Sequence, residues 1–292
     1  MQSTSETRNT QVNDVVRQLR AAGCVYAEDE AALLMEAAAS DDALDHLIRQ
    51  RMAGLPLEPL LGWAAFDGHR VRLGPGVFVP RRRTELLLRE ASREVVEILV
   101  RRSSPAASAK HVAADHDTEA LVTVIDVCSG SGAIAAALLR RHPNVRMLAV
   151  DNDPVAVEWA KRNVEPLGGW VGEGDLFDAI PLQIRNEIHG SVAIITANAP
   201  YVPTDEIRLM PPEARLHEPH STLDGGPDGL ALQRRIIGEA ATWLAPGGIL
   251  LVETSARQAP ETLEMMRAGG LSPSVLRDES LEATAVIGRR LG

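Results

Sequence analysis

From residue 121 onward the chain alternates strand-like and helix-like segments, and this constrains its fold more than any other feature. The apolar runs LVTVIDV (121–127), VRMLAVD (145–151), SVAIITA (191–197) and GILLVE (248–253) read as buried strands. Between and after them, GAIAAALLRRH, PVAVEWAKRNV, LALQRRIIGEAATWL and APETLEMMRAG carry apolar residues at helical spacing. Pro246-Gly247-Gly248 is expected to close the third of these helices, and PSVLRD and ATAVIGRR read as a final pair of strands. The fold class is therefore α/β, with a mostly parallel sheet covered on both faces. Ligands of such sheets bind outside the carboxyl ends of the strands.

The first part of the chain is different. Residues 1–55 are expected to form a small helical unit, with Val12, Val15, Val16 and Leu19 on one face and Leu44, Leu47, Ile48 and Met52 on another. Ser40-Asp41-Asp42 is a helix-start signal. Residues 56–84 contain Asp67-Gly68 between two short runs, the pattern of a β-hairpin. The remaining unit, 85–292, opens with an amphipathic helix that turns Leu87, Ala91, Val95 and Ile98 inward. Residues 103–120 are small, polar and aperiodic, and are expected to form a mobile loop.

A ligand site follows from the strand ends. Gly130 and Gly132 sit between a strand and a helix, where the missing β-carbons permit a tight turn and close approach to the helix start. Such a turn is equally a structural device. Asp151 ends the next strand, 19 residues after Gly132, where a carboxylate can accept hydrogen bonds from ribose hydroxyls. Asp126 and Asp175 close two further strands. Three acids suit a ligand with hydroxyls and amines better than a pyrophosphate, which favours S-adenosylmethionine over a dinucleotide. The fourth apolar run ends on Asn198-Ala199-Pro200-Tyr201, an unusual way to leave a buried strand.

Asp126-Val-Cys-Ser-Gly130-Ser-Gly132, Asp151, Asp175 and Asn198-Ala-Pro-Tyr201 together resemble a class I methyltransferase. More narrowly, the chain from about residue 57 is similar to the glutamine N5-methyltransferases that modify peptide-chain release factors. FVPRRRTE (78–85) resembles that family's Pro-Arg-x-x-Thr-Glu segment, and HEPHSTLDGGPDGL (217–230) resembles the loop after its Asn-Pro-Pro-Tyr motif. The resemblance implies a seven-stranded Rossmann-like sheet with one antiparallel strand. It implies a leading helical domain that engages a protein substrate and an enzyme using S-adenosylmethionine; the expectation of a cytoplasmic protein comes instead from the lack of a membrane-length apolar run and of a hydrophobic signal segment. It assigns Asp126, Cys128, Gly130, Gly132, Asp151, Asn152, Asp175, Leu176 and Asn198 to the cofactor. It assigns Asn198, Ala199, Pro200, Tyr201, Pro80 and Arg81 to the substrate, with Asn198, Pro200 and Tyr201 taking part in catalysis. Three positions depart from the family pattern: Ala199 replaces a proline, and Cys128 and Ser255 each replace a glycine.

Composition narrows the alternatives. The net charge is −10 and aromatic residues are only 3% of the chain, which counts against an enzyme that stacks a flipped nucleobase. Two cysteines, Cys24 and Cys128, without a Cys/His cluster do not make a structural metal site. No apolar run reaches the length of a membrane span, and the polar N-terminus has no hydrophobic signal segment. Besides the nucleobase amino-methyltransferase, a cofactor-binding scaffold without turnover is the other alternative, with Cys128 and Ala199 as its support.

Overall fold

The computed structural model describes residues 2–103 and 121–292, with side chains from residue 10 onward. The expected loop at 103–120 falls on residues 104–120, outside the described ones.

Four helices lead the chain: α1 (Gln2–Ala21), α2 (Ala27–Ala37), α3 (Asp41–Met52) and the single turn α4 (Leu57–Leu61). Val15, Leu19, Ala31, Leu34, Leu44 and Ile48 form their shared apolar centre. Met52 is exposed and does not continue the inner face of α3. Ser40 caps α3 by accepting from the Ala43 amide at 3.2 Å, satisfying one of the helix's free donors. Arg51 ties the unit together: its Nε donates to Glu30 at 2.6 Å and its Nη1 to the Leu55 carbonyl at 2.8 Å. The same Nη1 reaches Glu213, a residue from far along the chain, at 3.0 Å.

A hairpin follows, β1 (Trp63–Phe66) against β2 (His69–Arg72). Both turn residues, Asp67 and Gly68, have positive φ, as a two-residue hairpin loop with right-handed strand twist requires. Helix α5 (Glu85–Arg102) buries Leu87, Ala91 and Val95 as expected, and also Leu86, Leu88 and Glu94.

The main sheet has seven strands in the order β5-β4-β3-β6-β7-β9-β8. These are β3 (Val122–Val127), β4 (Val145–Asp151), β5 (Trp170–Glu173), β6 (Val192–Ala197), β7 (Leu244–Glu253), β8 (Leu271–Asp278) and β9 (Ala283–Arg290). Only β9 runs antiparallel, between β7 and β8. The intervening helices are α6 (Ala133–Arg141), α7 (Pro154–Val164), α8 (Leu182–Ile188), α9 (Pro212–His217), α10 (Ala231–Trp243) and α11 (Ala259–Ala268). Strands β3 and β6 are buried at every position, which is why their sequences are continuously apolar rather than alternating. Two core clusters cover the two faces of the sheet. Pro246-Gly247-Gly248 does not close α10 as expected. It lies inside β7, where pairing jumps from Val192–Leu244 to Ile194–Ile249 and the extra residues bulge out.

Candidate active site

The strands β3, β4 and β6 lie side by side, and the residues just past their carboxyl ends line one pocket. After β3 come Cys128, Ser129, Gly130 and Ser131; at the end of β4 lie Asp151, Asn152 and Asp153; after β6 come Asn198, Ala199, Pro200 and Tyr201. Asp175 and Leu176, which follow β5, complete that wall. Pro80, Arg81, Arg83 and Thr84 close it from the segment before α5, and Met210, Glu218 and Leu223 from the region around α9. The pocket encloses about 1230 Å³, solvent at its mouth included.

The turn after β3 is built by backbone geometry. Gly130 and Gly132 both have positive φ. A β-carbon on Gly132 would lie 2.7 Å from Val164 and 3.2 Å from the Cα of Ala160, so the glycine lets α6 pack on α7. A β-carbon on Gly130 meets no protein atom within 4 Å; it would project into open space. Asn163 fixes the turn from α7: its Nδ2 donates to the Ser131 carbonyl at 2.9 Å and to the Arg72 carbonyl at 2.8 Å. Its Oδ1 accepts from the Arg72 amide at 3.0 Å, so one side chain joins hairpin, turn and helix.

The acids divide into different roles. Asp151 accepts from the Gly130 amide at 2.8 Å and from the Asp153 amide at 3.0 Å. Burial pushes its carboxyl up, and those backbone donors oppose the shift. A carboxylate accepts about four hydrogen bonds, so Asp151 keeps lone pairs for a ligand hydroxyl. Asp175 pairs with Arg235 at 2.6 Å at the rim. Asp126 does not line the pocket. It is 1% exposed and accepts from the Thr196 hydroxyl at 2.7 Å, across from it on β6. Burial raises its pKa to about 7. Of the three acids expected at the ligand, Asp151 and Asp175 line the pocket and Asp126 lies inside the sheet. Gly132 likewise stands behind the lining rather than in it.

The departures from the family pattern have local explanations. Cys128 lines the pocket with φ 55°, the left-handed conformation that glycine adopts freely. Burial, with the nearby carboxylates of Asp151, Asp126 and Asp175, pushes its thiol pKa up. Ala199 is 1% exposed, its methyl packed into the core below the pocket. Ser255 donates to Gln258 Oε1 at 2.6 Å and accepts from the Gln258 amide at 3.2 Å. That turns Gln258 Nε2 towards the carbonyls of Tyr201, at 2.9 Å, and Asp228, at 3.0 Å.

Gln258, Arg83, Thr84 and Glu218 were not singled out as site residues by the sequence. Glu218 is 7% exposed, ion-paired with Arg81, and its Oε2 is buried with no partner among the described residues. The glycines of the 217–230 segment seat that loop against the acceptor motif. A β-carbon at Gly225 would stand 2.7 Å from the Pro200 carbonyl oxygen, and one at Gly229 2.3 Å from that of Tyr201. No group of metal-binding side chains is present among the described residues. No described helix is long and apolar enough to cross a membrane.

The chain is similar to known methyltransferases in sequence and in fold. Residues 109–209 match the family model "Methyltransferase small domain". A 4-amino-L-phenylalanine/4-methylamino-L-phenylalanine methyltransferase of Streptomyces pristinaespiralis is 36% identical over 77% of this chain and 70% of its own. A release factor glutamine methyltransferase of Mycolicibacterium smegmatis is 35% identical over 78% of this chain and 72% of its own. The fold also resembles a methyltransferase from Pyrococcus furiosus, with TM-score 0.51 and 14% identity over 78% of this chain and 92% of the other. With its sheet, its glycine turn and its Asn198–Tyr201 segment so arranged, the chain belongs to the release factor glutamine methyltransferase family, whose class I enzymes use S-adenosylmethionine.

Proposed function

We propose that the enzyme methylates the side-chain amide nitrogen of a glutamine in a protein substrate, the Gly-Gly-Gln segment of a peptide-chain release factor. The observation that carries this reading is the lining of one pocket by Asn198–Tyr201 on one side and Gly130 and Asp151 on the other. The cofactor side fits S-adenosylmethionine: open space stands over Gly130, and a fixed carboxylate lies beside it for hydroxyls. Asn152 and Leu176 flank that side, and Cys128 its floor. When bound, S-adenosylmethionine supplies an electrophilic methyl carbon on a sulfonium sulfur.

The protein's own task is orientation. A carboxamide nitrogen is a poor nucleophile because its lone pair is delocalised into the carbonyl. Its two N–H groups need two acceptors. The Asn198 side-chain oxygen is the first. The Ala199 backbone carbonyl is the second. The Tyr201 ring covers the flat amide and keeps water away. Holding a reactant in line can remove roughly 7–11 kcal/mol from a barrier. Pro80 and Arg81 complete the acceptor side, and the helical unit 1–55 serves to engage the protein carrying the glutamine.

A second reading is favoured by the Streptomyces pristinaespiralis relative, whose name places its methyl group on an aniline nitrogen. An aniline is also planar, with two N–H groups and a delocalised lone pair, so the same pair of acceptors suits it. The Arg81–Glu218 ion pair in the pocket wall suits the head group of a free amino acid.

Incubation with isotopically labelled S-adenosylmethionine separates the two. Label on the glutamine of a release factor, lost in Asn198→Ala while cofactor binding persists, is the expected result. Label on 4-aminophenylalanine alone selects the second reading, and equal turnover by Asn198→Ala removes the clamp from either.

A further inference from the structure

The side chain of Gln258 has no part in the reading above, and it does not line the pocket. It is 6% exposed and stands just before α11, where it makes no helix-capping bond. Its carboxamide reaches two distant carbonyls instead: Nε2 donates to Tyr201 at 2.9 Å and to Asp228 at 3.0 Å. A primary amide has two N–H donors, so both are committed. The amide oxygen is committed too, because the Ser255 hydroxyl donates to Oε1 at 2.6 Å. Ser255 Oγ in turn accepts from the Gln258 backbone amide at 3.2 Å. Turning the carboxamide over would set its oxygen against two carbonyl oxygens and leave all three unpaired in a buried place, so one orientation is enforced.

The Tyr201 carbonyl belongs to a peptide plane that is held at both edges. At the other edge the Val202 N–H donates to the Leu223 carbonyl at 3.1 Å. With that plane fixed, the Tyr201 backbone cannot swing, and its ring keeps one place in the pocket wall. The second Gln258 N–H ties the same motif to Asp228 in the 217–230 segment. Gly229 leaves the room for this contact: its φ is 77°, and a β-carbon there would stand 2.4 Å from Gln258 Nε2 and 2.3 Å from the Tyr201 carbonyl oxygen. The neighbouring Arg257–Glu206 pair, at 2.9 Å, also bridges to residues after the motif, but it is exposed and adds little. We propose that Gln258 is a positioning residue for the methyl acceptor: oriented by Ser255, it fixes Tyr201 and seats the 217–230 loop against it. This rests on Asn198–Tyr201 holding the acceptor.

The test uses the full-length enzyme with Gln258→Leu, which keeps the size and removes the amide, and with Ser255→Ala and Ser255→Thr. Labelled methyl transfer from S-adenosylmethionine to a release factor is followed at saturating cofactor. Turnover is expected to fall roughly 25-fold in Gln258→Leu, two hydrogen bonds of about fivefold each. Ser255→Ala is expected to lose roughly fivefold, and Ser255→Thr to recover it. The Kd for S-adenosylmethionine stays within about twofold in all three, because the lost bonds lie on the acceptor side. A readout without substrate is the carbonyl 13C resonance of Tyr201. The chain has two tyrosines, so carbonyl-labelled tyrosine gives two signals, and Tyr26→Phe identifies them. A carbonyl that accepts a hydrogen bond is deshielded, so the Tyr201 signal is expected to move upfield in Gln258→Leu while that of Tyr26 stays. Full turnover in Gln258→Leu overturns the proposal, and so does an unmoved Tyr201 signal. A Kd that weakens as far as turnover falls also overturns it, since that is general loosening. If Gln258→Leu does not fold, the Ser255 pair decides: full turnover in Ser255→Ala, or a Ser255→Thr variant as slow as Ser255→Ala, overturns it. Full turnover in Gln258→Leu with none in Asn198→Ala rejects only the positioning role. Full turnover in both rejects the role of the acceptor motif itself.

Discussion

The amide of Gly130 donates to Oδ2 of Asp151 at 2.8 Å, so the last residue of one strand holds the turn that follows its neighbour. This bond shapes the cofactor side before any ligand arrives. Replacing Asp151 by Ala removes both the acceptor for ligand hydroxyls and the brace on the turn. The Kd for S-adenosylmethionine, measured by calorimetric titration, is expected to weaken about 10- to 100-fold, the range for hydrogen bonds to a charged group. Unchanged affinity would remove Asp151 from the site.

The two glycines of the same turn should respond differently to one added methyl. Gly132→Ala drives a β-carbon against Val164 and Ala160 at positive φ. A cost of roughly 2–4 kcal/mol is expected from overpacking and left-handed strain, read from urea denaturation. Gly130→Ala meets no protein atom and carries only the backbone strain, about 1–2 kcal/mol. Its larger effect is expected on cofactor affinity, because the methyl projects into the pocket.

Asp126 gives a pH signature. Its folded pKa of about 7 lies above the unfolded carboxylate value, so between about pH 4 and 7 the folded state holds a proton that the unfolded state has lost. Its contribution to stability therefore falls as pH rises through that window and is level above it. Asp126→Asn keeps an acceptor for the Thr196 hydroxyl and cannot ionise. Relative to wild type, the variant is expected to gain on the order of 3–4 kcal/mol between pH 4.5 and 8, followed by denaturation at each pH. A constant difference across the range would contradict burial of an ionisable Asp126.

Arg51 and Glu30 are 12% and 10% exposed at their side chains, and Arg51 also reaches Glu213 on α9. Arg51→Met leaves Glu30 buried without its partner. A loss of roughly 3–5 kcal/mol is expected in the helical unit, with most of it recovered in Arg51→Met/Glu30→Leu. Amide hydrogen exchange across α1–α3 checks both, and a single variant with wild-type protection would show that the pair contributes little.

Much of the site was legible because strand ends are where such sheets bind ligands, and the residues at those ends carry their function in their side chains. Asn198 follows a run buried at all six positions, and Asp151 closes β4, so both positions could be read from the pattern alone. Arg83, Thr84, Glu218, Glu253 and Gln258 were not legible in this way. Each is an ordinary polar residue near a helix or strand terminus, and each acquires meaning only from a partner 30 to 170 residues away. The hydrogen bond from Gln258 to the Tyr201 carbonyl spans 57 positions, and the Arg81–Glu218 pair spans 137.

By itself the sequence determined the mostly parallel sheet, a final pair of strands, the hairpin and the glycine turn, because periodicity and turn chemistry are local properties. Tertiary structure decided which polar side chains meet. Asp126 and Asp151 look alike in the sequence, each near the end of an apolar run before a helix. Asp126 lies one residue short of its strand's end, so its side chain stays on a sheet face beside Thr196, while Asp151 is the final residue and opens to the pocket. The register puts both side chains on one face, because Ala149 is the partner of Asp126 and Asp151 stands two positions beyond it; depth along the strand separates them, and only the assembled sheet shows that the inner row is covered and the strand end is open.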